Sequence, residues 1–478
     1  MMKYFIQKTI ALKKQLFLLL LTVPAIVQAQ QVNSWITTGD QSKLLQQQAA
    51  INFAKGTPKG ITTLSLDTAA FYQTMDGFGY CLTEGSAELF TALTPAAQKS
   101  LLNELFSVSN GIGISVLRIS IGASDLSSHS YSYDDIDSGT DVNLSKFSLA
   151  GPDLTFVVPI LKKILAINPK IKILGSPWSA PKWMKTKNSW IGGSLDTAYY
   201  AAYATYFVKY LNAMKALGID VEAITIQNEP ENPKNEPSMV MTAEEQIKFI
   251  NKNLGPALRT AGLKTKILAF DHNCDNMSYP TDVCNKSTYV DGAAFHLYLG
   301  PITMLSTVHK ATGKNVYFTE QYTAGGSEFS GTLSWHMNNI MIGATNNWAK
   351  MVLEWNLANN AKFGPFTPGG CTTCMGAITV NDSVNYIRNV SYYVTAHMSK
   401  FVKSGARRII SSTTDTNLPN VAFKNPDGSI ALVVMNNGPT ADFNVNFGGK
   451  YFSYNLPASS VASIVWGNGK VIEKVMAK

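Results

Sequence analysis

Charge is scarce in this chain. Only 15 per cent of its 478 residues are Asp, Glu, Lys or Arg. No block of Lys and Arg stands anywhere, so no nucleic-acid surface is expected. The formal net charge of +8 overstates even that: Lys3, Lys8, Lys13 and Lys14 fall in the first 29 residues, which hold no acid, and without them the chain carries +4. Long apolar runs are equally rare. The one that exists, from Leu16 to Val27, is too short for a comfortable transmembrane helix, and no integral membrane span is expected. With lysines before it and Val27-Gln28-Ala29 after it, residues 1–29 have the layout of a secretory signal peptide. Cleavage near Gln30 would leave the mature protein secreted or periplasmic.

Cysteine is sparse too, with five in all. Export permits disulfides. Cys371-Thr-Thr-Cys374 fits a loop staple better than a metal half-site or redox pair, because no second half-site and no nearby His accompany it. Cys274 and Cys284 make a weaker second pair, which leaves Cys81 as the odd thiol. No His, Asp and Glu cluster shows local ligand spacing, so neither a metal nor another cofactor is expected. Gly77-Phe-Gly79 lacks the third glycine of a dinucleotide-binding turn.

What is present is alternation. Apolar, β-branched stretches at Met75–Gly79, Ile114–Ile121, Ile171–Gly175, Ala223–Ile226, Lys266–Phe270, Ala293–Tyr298, Asn315–Thr319 and Met351–Trp355 read as strands. Helical or mixed segments separate them. Thr94-Pro95 gives an N-cap and first-turn proline, and Thr242 with Glu245 gives a capping box. Eight strands with crossovers predict an α/β fold, a (β/α)8 barrel over 73–405, with a doubly wound open sheet as runner-up. From about Arg407 short strands recur between turns such as Asn425-Pro-Asp-Gly428. Residues 406–478 therefore predict an antiparallel β-sandwich. The segment 30–72 is too short to fold alone, and its Ile61–Leu66 strand is expected to pair into that sandwich.

A parallel barrel carries its chemistry at the carboxyl ends of its strands. Arg118 stands on the second strand and Asp125 follows it; the third ends at Trp178. The fourth, Ala223-Ile-Thr-Ile-Gln-Asn-Glu-Pro230, is stopped by a proline that cannot donate to a ladder, so Asn228 and Glu229 are expected as its last residues. Asp271-His272-Asn273, His296-Leu-Tyr298, Glu320 and Glu354-Trp355-Asn356 end the remaining four. Singly these are ordinary caps, packing residues and ion pairs. Together they place two acids, Glu229 and Glu320, on facing strands, with aromatic rings around them. Two carboxyls and flat apolar faces are what glycoside hydrolysis requires.

At these residues the chain resembles glycoside hydrolase family 30, the family of lysosomal glucosylceramidase and the microbial β-1,6-glucanases. Asp76-Gly-Phe-Gly79, Ser176-Pro-Trp178-Ser-Ala-Pro-Lys-Trp183, Asn228-Glu229-Pro230, His296-Leu-Tyr298, Thr319-Glu320 and Trp355-Asn356-Leu357 carry the likeness, in that order. The resemblance implies a retaining enzyme with Glu229 as acid/base and Glu320 as nucleophile. Asn228 would bind the sugar 2-hydroxyl, and Arg118 and Tyr298 would keep Glu320 ionised. Asp125, Trp178 and Trp355 would line a glucose pocket, with His296 at its rim. Glu229 is expected to hold the proton in the free enzyme, raised by its neighbour's charge. The loop Pro368-Gly-Gly-Cys371-Thr-Thr-Cys374 looks like the β-1,6-glucanase branch. The implied partner is a β-glucan or a glucosylated lipid. A catalytically dead carbohydrate-binding barrel is the rival reading, but it needs neither acid.

Overall fold

The computed structural model describes residues 31–56, 61–149 and 151–467; the leader read at 1–29 lies outside them. Eight parallel strands close into a barrel in sequence order: β1 Gly77–Cys81, β2 Val116–Ser120, β3 Lys172–Ser176, β4 Ala223–Thr225, β5 Lys266–Asn273, β6 Val290–His296, β7 Asn315–Glu320 and β8 Ala349–Asn356. Gly79 is needed for the closure. A Cβ there would come within 1.9 Å of the Val116 carbonyl oxygen on β2.

The barrel interior is stacked in two tiers. Val116, Leu174, Ala223, Leu268, Ala294, Tyr317 and Met351 pack into one apolar layer. Side chains two residues apart on a strand share a face. The same strands therefore send Arg118, Ser176, Thr225, His296 and Thr319 inward one step higher. On β5 the step is three, from Leu268 to Asp271. Phe270 and Asp271 have φ of +72° and +67°, and the β5–β6 register shifts between Phe270 and His272. This bulge turns the Asp271 carboxylate into the barrel, at a local backbone cost of about 1–3 kcal/mol per residue.

β4 is shorter than its sequence predicts. Ladder pairing ends at Thr225, and Gln227, Asn228 and Glu229 lie beyond it. Loop contacts hold them instead: Asn228 N–H donates to the Pro177 carbonyl at 2.7 Å and Glu229 N–H to the Asp271 carbonyl at 3.0 Å. Glu229 sits at φ +47°, a left-handed conformation that only firm surroundings sustain in a glutamate.

The second unit is a β-sheet assembly with its own core of Val32, Ile36, Leu64, Leu432, Val434 and Ile464, among others. Thr63–Thr74 pairs with Arg407–Ser412 antiparallel and with Ala441–Phe447 in parallel. The parallel pair departs from a purely antiparallel sandwich because Thr63–Thr74 arrives from before the barrel rather than through a hairpin. Gln31–Thr38 pairs with Ser460–Trp466, a partnership that local patterning did not indicate. His397 joins the units, its ring 2.8 Å from both Ser463 Oγ and Thr37 Oγ1. Burial pushes it down to about 3, so it is neutral.

Cys371 and Cys374 form a disulfide. The second pair does not: Cys274 and Cys284 are separate buried thiols, as is Cys81. Cys274 instead donates to the His296 carbonyl at 3.2 Å.

Candidate active site

Arg118 is the hub. It is fully buried. Its Nη1 lies 2.5 Å from Glu320 Oε2, and its Nη2 lies 2.9 Å from Asp271 Oδ2 and 2.6 Å from Asn228 Oδ1. A guanidinium is a rigid fork that remains charged when buried, so one residue fixes three others. Trp178 covers it, with the guanidinium 4.7 Å from the ring centroid. Tyr298 OH donates to Glu320 Oε1 at 2.9 Å. Both Glu320 oxygens are thereby held.

Asp271 is the anion beneath. It accepts from Ser176 Oγ at 2.8 Å, Thr225 Oγ1 at 2.7 Å and Thr319 Oγ1 at 2.7 Å. Burial alone would raise its carboxyl, but Arg118 and His296 hold it far below the ordinary range. The sequence marked Asp271 only as a strand end. Its role depends on the β5 bulge, and the hydroxyls that complete the network are dispersed over three other strands.

His296 is not at the rim. It is fully buried beneath the two acids. Its Nδ1 is 3.3 Å from Glu229 Oε1 and 3.6 Å from Glu320 Oε1, and its Nε2 is 3.2 Å from Asp271 Oδ1. Burial alone would depress it, yet Glu320, Asp271 and Glu229 together push it up to about 10. That corrects the expected proton position. Burial raises Glu229, but the donating imidazolium outweighs it and the balance is downward. The two groups thus shift in opposite directions, His296 upward and Glu229 downward. Asn232 Nδ2 holds the other Glu229 oxygen at 2.7 Å. Glu320 was expected to be kept ionised by Arg118 and Tyr298, and burial works against them. Burial is the largest influence and raises it on balance, with His296 and Arg118 pulling downward.

One cavity of about 490 Å³ opens over this cluster, bounded by Asp125, Glu229, Tyr298, Glu320 and Trp355, with Tyr322 and the Cys371–Cys374 loop closing one side. Asp125 is pushed up to about 7 by burial and by the charges of Glu320 and Glu229. Trp178 is not on the wall. It is buried against Trp355, centroid to centroid 5.2 Å. The disulfide loop docks through Gly370, where a Cβ would meet the Asp125 carbonyl oxygen at 2.2 Å. Tyr322 and Asn232 were absent from the site residues expected from sequence, because they come from loops that fold over the mouth; the disulfide loop was expected only as a staple and a mark of the glucanase branch.

Glu229, His296 and Glu320 offer ligand atoms that all lie within 4.8 Å of one another. The fold thus assembles a trio that local spacing does not reveal. A cation would compete there with charge already supplied by Arg118 and the His296 imidazolium, so the site favours proton chemistry.

The glycosyl hydrolase family 30 TIM-barrel domain matches residues 75–402, and the family's beta sandwich domain matches 405–464. An endo-1,6-beta-D-glucanase of Aspergillus fumigatus is 37% identical over 444 residues, covering 86% of this chain and 89% of its own. The mouse (Mus musculus) lysosomal acid glucosylceramidase is 30% identical over 406 residues, covering 78% and 77%. A solved endo-beta1,6-glucanase superposes with a TM-score of 0.86 at 39% identity, covering 92% of this chain and 99% of that one. With both domains matched and the barrel mouth carrying paired acids, the chain belongs to glycosyl hydrolase family 30 and is an O-glycosyl hydrolase.

Proposed function

We propose that this protein is a retaining hydrolase of β-1,6-linked glucan, with Glu320 as nucleophile and Glu229 as acid/base. The spacing carries the mechanism. One carboxyl oxygen of each acid lies within 4.8 Å of the other's, which favours the direct-attack separation of about 5–5.5 Å over the 6.5–9.5 Å gap that leaves room for an inverting water. Glu320 attacks the anomeric carbon while the glycosidic C–O bond breaks. Glu229 gives its proton to the departing oxygen. Water then attacks the same carbon, gives its proton to Glu229 and releases Glu320. Arg118 and Tyr298 donate to the nucleophile and stabilise its charge each time it is freed. His296 Nδ1, 3.3 Å from Glu229, is placed to hand it the proton it needs.

The relatives support the substrate. The endo-1,6-glucanases are 37–39% identical to this chain, and the mouse glucosylceramidase is 30% identical. Product profiles on β-1,6-glucan, β-1,3-glucan, xylan and detergent-dispersed glucosylceramide test it. The β-1,6-glucan should be cut fastest; faster turnover of glucosylceramide overturns this substrate in favour of the lipid. Glu320→Ala with azide should give product of inverted configuration and Glu229→Ala with azide retained configuration. The opposite pattern reverses the two roles. The leader-like segment supports action outside the cytoplasm, and secreted protein should begin near Gln30 rather than at Met1.

A further inference from the structure

A second hollow, of about 350 Å³, lies beside the catalytic cavity. Tyr322 borders both. Beyond it the hollow is lined by Gln321, Trp335 and His336. Trp335 lies on the surface helix Phe329–His336 and leaves 40% of its area exposed. An exposed indole ring offers a flat apolar face on which a sugar ring can stack.

The ring is presented on a firm support. Its neighbour His336 is fixed through Nδ1 to the buried Glu354 carboxylate at 2.8 Å. The helix is tied to the sandwich by Asn437 Oδ1, which accepts from Ser334 Oγ at 2.8 Å and from Asn338 Nδ2 at 2.9 Å. Gln321 also lines the hollow; it is 7% exposed, and its Oε1, just beneath the surface, has no hydrogen-bond partner. An unmet buried acceptor is unfavourable and is relieved by an added hydroxyl donor. An exposed flat ring and a waiting acceptor are the two features a sugar uses, one for its C–H face and one for its hydroxyls.

We propose that this hollow is a distal glucose subsite. A glucose residue beyond the two that flank the bond cut at Glu229 and Glu320 stacks on Trp335, and a small turn of the Gln321 amide brings Oε1 to one of its hydroxyls, with Tyr322 as the wall between the two sites. The inference rests on the β-1,6-glucan reading. The extra rotatable C5–C6 bond in each such linkage lets the chain turn around Tyr322.

The test compares a long β-1,6-glucan with the β-1,6-linked glucose disaccharide, using Trp335→Ala and Trp335→Phe. Trp335→Ala should raise KM for the polymer about tenfold, the size of one lost aromatic contact. It should leave kcat on the polymer and both constants on the disaccharide unchanged, and Trp335→Phe should restore most of the loss. An unchanged KM on the polymer overturns the subsite. So does an equal loss on polymer and disaccharide, which marks a general disturbance. Wild-type protein that leaves β-1,6-glucan uncut while cleaving another glucoside refutes the parent reading and this subsite with it.

Discussion

Asp271→Asn changes the charge of one buried side chain and almost nothing of its shape. In the wild type the carboxylate faces Arg118 Nη2 at 2.9 Å and His296 Nε2 at 3.2 Å, all three side chains fully buried. Removing one partner of a buried pair costs about 3–5 kcal/mol, because the other charge is left uncompensated. Here Arg118 keeps Glu320, so the lower end, about 3 kcal/mol, is expected. At roughly 2 °C per kcal/mol for a large chain, the thermal midpoint at pH 7 should fall by about 6 °C. The dependence on pH gives a second check. The folded-state pKa of Asp271 is depressed. Its contribution is therefore fully present above the unfolded value of about 3.9 and is lost as pH falls further. The gap between variant and wild type should be constant from pH 5 to 7 and shrink below about pH 4. Calorimetry or circular dichroism melts across pH 3–7 measure both. Equal midpoints at pH 7, or a gap that widens on acidification, refute the assignment of Asp271 as the counter-ion that holds Arg118.

Tyr298→Phe removes the 2.9 Å bond to Glu320; a hydrogen bond to a charged group contributes about 1.5–3 kcal/mol, so kcat/KM should fall roughly ten- to hundredfold, measured on an aryl β-glucoside. His296 is raised to about 10 in the folded state, so its stabilising effect is full below the unfolded value near 6.5 and is lost as pH rises through 10. His296→Gln should therefore lower the thermal midpoint most below pH 6.5, with the gap to wild type closing toward pH 10. The Cys371–Cys374 bridge closes a very short loop. Cys374→Ser should lower global stability by no more than about 2 kcal/mol, while KM rises because the loop on the cavity wall loosens.

Much of this molecule is written along the chain. Eight apolar stretches with helices between them dictate a parallel sheet, because each strand must cross back over its own face before pairing again, and their number favours a closed barrel. Pro230 marks the carboxyl end of the fourth strand to within a few residues, though the ladder already stops at Thr225, and the ends of the other strands carry their polar residues in the same way. Adjacent residues suffice for these readings. The Cys371–Cys374 pair is likewise close enough in sequence to be read there.

The tertiary structure decided the rest. Period-two alternation from Leu268 would have sent Phe270 inward. The bulge sends Asp271 instead, and no glycine announces it. Only closure of the barrel brings Arg118, Ser176, Thr225, His296 and Thr319 around that carboxylate, from five strands that share no local pattern. The same closure buries His296 among three acids, which push it upward while it pulls Glu229 downward, because the field at one atom sums charges from across the barrel. Cys274 and Cys284 could pair by separation alone, yet one lies beside the His296 carbonyl and the other on the helix Ser278–Lys286. Gln31–Thr38 meets Ser460–Trp466 across more than four hundred residues. Such contacts depend on loop closure and shared burial, which are properties of the folded whole rather than of any stretch within it.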